Sequence, residues 1–288
     1  MGMSGTSGQL NPEWDVDRMG EKSSSDGTVG KALDVLDQVA EFGRPVRFSE
    51  LLDGSPYPKA TLYRLVQTLT NQRMLHFDPE RGTYAPGFRL VRLAHAAWEQ
   101  SSLAPIARPH LDALSARLGE TVHLAQLDHG QVLYVDKRNA ADPIEMFSQA
   151  GKVGPAYCTG VGKAMMAFLD GAALDQVLDR QSWHRFTDTT LTNRAALRAE
   201  LGESRKRGYA FDREEHEPGI ICVAVPILSG SGRVLGGLSV TTATNRKSLD
   251  DLARLAPELQ ATAASIADEA QNWRFPDEPS HTKISAAE

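Results

Sequence analysis

The chain has 288 residues, 41% of them hydrophobic, which is enough for two domains with ordinary cores. Its net charge of −6 argues against nonspecific coating of nucleic acid or membrane, and its two cysteines, Cys158 and Cys222, exclude a disulfide framework. The longest apolar run, Ile220 to Leu228, falls far short of the roughly 20 residues that cross a bilayer, and the N-terminus lacks an apolar signal region, so a reduced cytoplasmic setting without membrane contact is expected.

Residues 1–26 are polar and rich in Gly and Ser and are expected to be a disordered tail; the last residues, 274–288, are again polar and are expected to be a flexible tail. From residue 27 the pattern becomes helical. In "VGKALDVLDQVAEF", Ala32, Leu33, Val35, Leu36, Val39 and Ala40 share one face, and Gly43 and Pro45 end the helix. "VRFSELLDG" predicts a short extended piece, a cap at Ser49 and a second helix, and Pro58 suits the first position of a third. In that third helix Leu62, Leu65, Val66 and Leu69 form the core face, leaving Lys59, Thr61, Tyr63, Arg64, Gln67 and Asn71 outside it. "LHFDPERGTYAPG" then reads as a hairpin. Three helices with a tight turn before the third, followed by a hairpin, make a winged helix-turn-helix over 27–86.

Charge supports a nucleic-acid role for this segment. Between Gly43 and Arg92 stand eight basic residues against four acidic ones, within an acidic chain. Lys59, Thr61, Tyr63 and Arg64 crowd the first turns of the third helix, where side chains reach base edges, with Gln67 one turn on. Arg44, Arg47 and Arg81 are placed to meet phosphates, whereas Arg73 at the helix end serves the helix dipole.

Over residues 87–103, "FRLVRLAHAAWEQSSL" after Gly87 predicts a linker helix whose Leu90, Leu93, Ala97 and Trp98 suit an interface between subunits. Over 104–273 a helix with Ala107, Leu111, Leu114 and Leu118 leads into period-two segments. "TVHLAQL" and "QVLYVDKR" flank an Asp-His-Gly turn; "IEMFSQ" suits a third strand; "IICVAVPIL" and "RVLGGLSVTTA" flank Ser-Gly-Ser-Gly. A charged helix, Asn193 to Arg207, stops at Gly208, and a closing helix runs from Ser248 to Ala270.

"TGVGKAMMAFL", Thr159 to Leu169, resembles a phosphate loop feeding a helix. A nucleotide loop needs Gly five positions before its Gly-Lys pair and Ser or Thr after it; here those positions hold Tyr157 and Ala164. What remains is a glycine-opened helix start whose amides favour an anion. Lys163 is turned away from that mouth, to the outside or to a neighbour.

The stretches "VGKALDVLD", "YPKATLYRLVQTL", "GTYAPGFRL", "GKVGPAYCTGVGKAMMAFL", "KRGYAFDREEHEPGIICVAVPI" and "GGLSVT", in this order, resemble the IclR family of bacterial transcriptional regulators. The resemblance implies an α+β chain: an N-terminal winged helix-turn-helix, a linker helix, and a C-terminal GAF-like effector domain with an antiparallel sheet. It implies a homodimer or homotetramer on double-stranded operator DNA, a repressor of a catabolic operon, no cofactor, and control by a small carboxylate. Carried over residue by residue, it assigns effector contacts to Met146, Gly160, Val161, Asp212, Ile220, Cys222, Ser239 and Thr241. Pro143 and Gly154 stand where the family's oxoacid pocket has larger aliphatic walls. The residues alone leave Cys222 open between core and pocket, and Asp212 between a turn cap and a ligand contact. Ser239 and Thr241, two apart on a strand, share a face.

Two other function classes remain open at this level. Asp212, Glu214, Glu215, His216 and Glu217 in "DREEHE" could make a metal-responsive regulator, although no zinc spacing accompanies them. Cys158 or Cys222 could serve an enzyme, although nothing fixes a histidine partner.

Overall fold

A computed structural model describes residues 27–101 and 103–272; the two tails expected from the sequence lie outside the described residues. The chain divides into two compact units, residues 1–89 and 90–288.

In the first unit, α1 (Gly27–Glu41), β1 (Val46–Arg47), α2 (Phe48–Asp53), α3 (Lys59–Asn71), β2 (Leu75–Asp78) and β3 (Thr83–Pro86) follow in order, and the three strands pair antiparallel as β1-β3-β2. Val35 and Val39 of α1, Leu51 of α2, and Leu62, Leu65, Val66 and Leu69 of α3 close the core with Val46, Leu75 and Tyr84. Leu33 and Ala40, expected on the buried face of α1, are exposed instead, because only the narrower Val35-Leu36-Val39 stripe meets the core. The cap of α2 is Arg47 rather than Ser49, and Pro58 is the cap of α3, one residue before the first helical position. After α3 the chain reverses through Arg73 in the left-handed region (φ 58°). A Cβ on Gly87 would lie 2.3 Å from the Arg73 carbonyl oxygen, so only glycine lets the wing close here.

The second unit begins within α4 (Phe88–Ser101), which precedes α5 (Ala104–Leu118), β4 (Thr121–Asp128), β5 (Gln131–Arg138), β6 (Val153–Pro155), α6 (Gly160–Met166) and α7 (Gly171–Asp179). Then come α8 (Arg194–Arg207), β7 (Ala210–Arg213), β8 (Ile220–Leu228), β9 (Val234–Ala243), α9 (Leu249–Ala253) and α10 (Ala256–Glu269). The six strands form one antiparallel sheet in the order β6-β5-β4-β9-β8-β7. Alternation along β8 separates two cores. Ile221, Val223, Val225 and Ile227 face Leu111 and Leu114 of α5 and Leu259, Ala263 and Ile266 of α10. Ala224 faces the other way, with Val161, Met165 and Met166 of α6 and Leu197 and Leu201 of α8. Small residues bring α6 onto this second face: a Cβ on Gly237 would come within 2.6 Å of Val161 Cγ2.

Two expectations need correction. Ile144–Gln149 is not a strand; its Phe147 N–H donates to the Glu217 carboxylate and its Ser148 carbonyl accepts from Lys137 Nζ, so side chains take the place of a ladder. The third strand in sequence is β6. The closing helix is two helices: Ser248 caps α9, and Pro257 in the first turn of α10 lacks the N–H that continuity would need. β7, four residues long, and α7, nine residues long with Leu174, Val177 and Leu178 on one face, go unread in the sequence.

Candidate functional site

The first candidate surface is the outer face of α3 and the wing. Lys59, Tyr63 and Arg64 are exposed and Thr61 is half-buried, while the helix's four buried residues hold its opposite side on the core. Tyr63 stands edge-on to Phe48 of α2, ring centroids 5.8 Å apart, which fixes where its ring points. Gln67, one turn on, is half-buried and faces the hydroxyl of Tyr84 on the wing strand. At the wing tip Asp78 Oδ1 accepts from the backbone N–H of Glu80 and Arg81, and Arg81 is left projecting. Arg44 and Arg47 are exposed ahead of α2; Arg44 Nη2 donates to Glu50 Oε1 at 2.6 Å. A projecting row of basic and polar groups on one helix, with Arg81 at the wing tip, suits base-edge and phosphate contacts.

The second candidate is a cavity of about 30 Å³ between the second face of the sheet and α6. Met146, Gly160, Val161, Asp212, Ile220, Cys222, Ser239 and Thr241 all line it. Pro143 and Gly154 are not among its walls; Gly154 stands behind Tyr134 and Phe147, each 3.4 Å from where its Cβ would be. The register explains the convergence: Asp212 pairs with Cys222 and Cys222 with Thr241, so three neighbouring strands present these side chains in one row. Ser239 follows Thr241 two residues away on the same face, opposite His123 of β4.

Sequence reasoning missed His123, Tyr134, Phe147, Ser148, Thr159, His216 and Glu217, which complete the lining. The register of β5 against β4 shifts by one at Leu124/Ala125. That irregularity lets Tyr134 and Lys137, three apart, both meet groups at the pocket end: Tyr134 packs on His123 with centroids 5.5 Å apart, and Lys137 reaches the Ser148 carbonyl at 2.8 Å. No periodicity in the sequence announces a bulge. His123 Nε2 lies 2.8 Å from Ser148 Oγ and Nδ1 lies 3.4 Å from Thr241 Oγ1.

The electrostatics are unusual. Burial, aided by Lys137, pushes the His123 imidazole down to about 3, so it is neutral. Burial pushes Asp212 up to about 7, against the opposing pull of Lys163 and with further raising from Glu215 and Glu217. Asp212 is both things its sequence position allowed. Its Oδ1 accepts from the Glu215 N–H at 2.8 Å, capping the turn, and the carboxyl lines the pocket. Cys222 is pushed up to about 12, chiefly by burial, even though the N–H groups of Asp212 and Gly160 point at its sulfur. Burial likewise raises Cys158, so neither thiol is a nucleophile at neutral pH.

Lys163 contacts a neighbour and is fully buried, forming an ion pair with the buried Glu215. The first turn of α6 carries no side-chain cap, since Thr159 sends its hydroxyl back to the Pro155 carbonyl. The carboxylates of the acidic turn point apart: Glu214 accepts from Gly219 N–H at 2.7 Å, Glu215 holds Lys163, and Glu217 holds Phe147 N–H. Among the described residues no three His, Cys, Asp or Glu side chains converge as a metal ion would need.

Two family models match this chain: the IclR helix-turn-helix domain over residues 28–79 and the bacterial transcriptional regulator IclR C-terminal domain over residues 95–268. The HTH-type transcriptional regulator XynR of Escherichia coli is 32% identical over 83% of this chain and 95% of its own length. The regulator KdgR of the same organism is 31% identical over 88% and 94%. The crystal structure of the Thermotoga maritima IclR matches with a TM-score of 0.69 at 29% identity, covering 85% of this chain and 98% of that one. The chain belongs to the IclR family of bacterial transcriptional regulators, and it is a DNA-binding regulator of transcription, not an enzyme.

Proposed function

We propose that this regulator is a cytoplasmic repressor that binds operator DNA as a dimer through α3 and the wing, and that a small carboxylate seated in the α6 pocket controls it. The observation that carries the reading is that eight positions spread from Met146 to Thr241 come together around one cavity. In it the uncapped start of α6 supplies amide N–H groups for a carboxylate, while Ser239, Thr241 and Asp212 supply partners for hydroxyl or oxo oxygens. The cavity is small, so seating an organic acid in it would shift its side-chain walls, and that would link occupancy to the arrangement of the domain.

On the DNA side, Lys59, Thr61, Tyr63 and Arg64 read base edges, Gln67 faces the wing strand, and Arg44, Arg47 and Arg81 meet phosphates. The dimer is supported by α4. Phe88 is 89% exposed, and Val91 and Leu93 are exposed as well, too much apolar helix surface for water. Trp98, expected at the subunit interface, packs instead against the core of its own unit. The proposed domain limits are 27–86, 87–103 and 104–273. Mapping the genomic site protected by the protein tests the reading: a palindromic site beside genes for catabolism of an acid is expected, and scattered protection without a shared sequence would defeat it.

A further inference from the structure

The pocket's charges are an odd match for a simple anion site. Its lining includes two carboxyl groups, Asp212 and Glu217, and two imidazoles, but no lysine or arginine side chain. Asp212, on β7, is buried and faces Lys163 from α6, Cys222 from β8, and Glu215 and Glu217 from the turn that follows. Cys158 ahead of α6 and Tyr134 of β5 also feel its charge, and Glu200 of α8, the helix packed beside β7, is bound by Arg207 and Arg213. Lys163, the cation whose charge acts on Asp212, is already paired with Glu215. Lys137, at the other end, lies outside the lining, donates to the Ser148 carbonyl and faces Glu217. A ligand carboxylate entering here meets amide dipoles, hydroxyls and two acids.

We infer that the pocket takes a monoanionic acid together with one proton held on Asp212, and that it rejects acids carrying a second carboxylate. The inference rests on the carboxylate reading above and deepens it. A protonated Asp212 becomes a hydrogen-bond donor toward the ligand and withdraws a negative charge from beside it. Its Oδ1 still accepts from the Glu215 N–H, so the turn that carries Glu217 keeps its cap in either state. Glu217, held by the Phe147 N–H at 3.1 Å, remains as the charge that repels a second carboxylate. At the same end neutral His123 with Ser148 and Thr241 offers partners for uncharged hydroxyls. The raised affinity of Asp212 for its proton makes the uptake possible near neutrality.

Calorimetric titration of the full-length protein with three matched pairs tests this: glycerate against tartronate, gluconate against glucarate, and 4-hydroxybenzoate against terephthalate. Each pair exchanges an uncharged hydroxyl end for a carboxylate. The expected result is that at least one monoacid binds, with an affinity level below about pH 7 and falling toward tenfold per pH unit above it. Repeating the titration in buffers of different ionisation enthalpy should then report uptake approaching one proton. The paired diacid should bind at least about tenfold more weakly, the gap narrowing in Glu217→Gln. Asp212→Asn, whose amide oxygen can keep the turn's cap, should bind the monoacid with no pH dependence. Wild-type affinity that is flat between about pH 6 and about pH 8.5, or a diacid bound as tightly as its monoacid, overturns the inference and leaves the carboxylate reading standing. If none of the six binds to protein that still holds its operator, the carboxylate reading fails and takes the inference with it.

Discussion

Gly160 and Lys163 stand three residues apart in one stretch, and each has a packing role besides the one the sequence suggests. The missing side chain of Gly160 lets α6 settle on the sheet: a Cβ there would lie 2.3 Å from Cys222 Sγ and 3.1 Å from the Asp212 nitrogen. Gly160→Ala should therefore destabilise the effector domain by about 1–3 kcal/mol. In a Cys222→Ala background much of that loss should vanish. A double-mutant cycle by urea unfolding checks it, and strictly additive losses would mean that the sulfur is not the obstacle. Lys163 is an interior ion-pair partner. Lys163→Met strands the buried Glu215 carboxylate and should cost about 3–5 kcal/mol, while the Lys163→Met, Glu215→Leu double variant should recover much of it.

His123 and Asp212 give stability opposite responses to acid. The unfolded chain protonates His123 near its ordinary 6.5, the folded one only near 3, so this residue's contribution is complete above about pH 6.5 and is lost as pH falls. Asp212 has its folded value raised to about 7 from 3.8, so its contribution is complete below about pH 4 and is lost as pH rises through 7. At about 1.4 kcal/mol per unit each is worth roughly 4–5 kcal/mol, and they offset between about pH 4 and pH 6.5. Asp212→Asn should make the domain more acid-sensitive in that window and His123→Gln less so. Urea unfolding at several pH values measures both, and identical pH profiles for the two variants would contradict the assignment.

At the scale of elements, what was legible followed from strong local signals. The third helix and its core face are written in Leu62, Leu65, Val66 and Leu69, and α8 in its Asn193 cap and the left-handed Gly208 that ends it. The β4–β5 turn is written in Asp128-His129-Gly130, where His129 and Gly130 both take positive φ. What was not legible depends on tertiary context. The irregular Ile144–Gln149 segment is fixed by Glu217 and Lys137, remote in sequence, and the pocket end made by His123 and Tyr134 depends on a bulge. The eight residues carried over from the family resemblance all reach the cavity wall, yet none of the seven others could be drawn from that pattern. For α3 and the wing, Arg64→Ala should weaken operator binding by ~1–3 kcal/mol and relax sequence preference at one position. Arg81→Ala should weaken operator and random DNA alike and lower the salt slope by about 1. Gel-shift titrations at several salt concentrations separate the two roles, and unchanged affinity in both variants would remove α3 and the wing from the DNA.

At the scale of the whole molecule, one unit carries the helix proposed to read DNA and the other the cavity, so the proposed regulation requires a coupling between them. In the proposed dimer the exposed apolar residues of α4 would pack against a second copy of the chain, and two half-sites would multiply the electrostatic term of DNA binding. Val91→Asp with Leu93→Asp should shift the protein to monomers in sedimentation and weaken operator binding; a dimer that survives both charges would place the interface elsewhere. The central claim is that an acid in the α6 pocket changes affinity for DNA. Its most direct measurement is fluorescence anisotropy of the protected genomic site, titrated with protein in the presence and absence of the acids above. The account predicts that one monocarboxylate changes operator affinity about 5–150-fold in the wild-type protein. It predicts little change for the same acid in a Ser239→Ala, Thr241→Ala variant that binds the site normally. Operator affinity indifferent to every acid in the wild type, or an equal response in that variant, would contradict it.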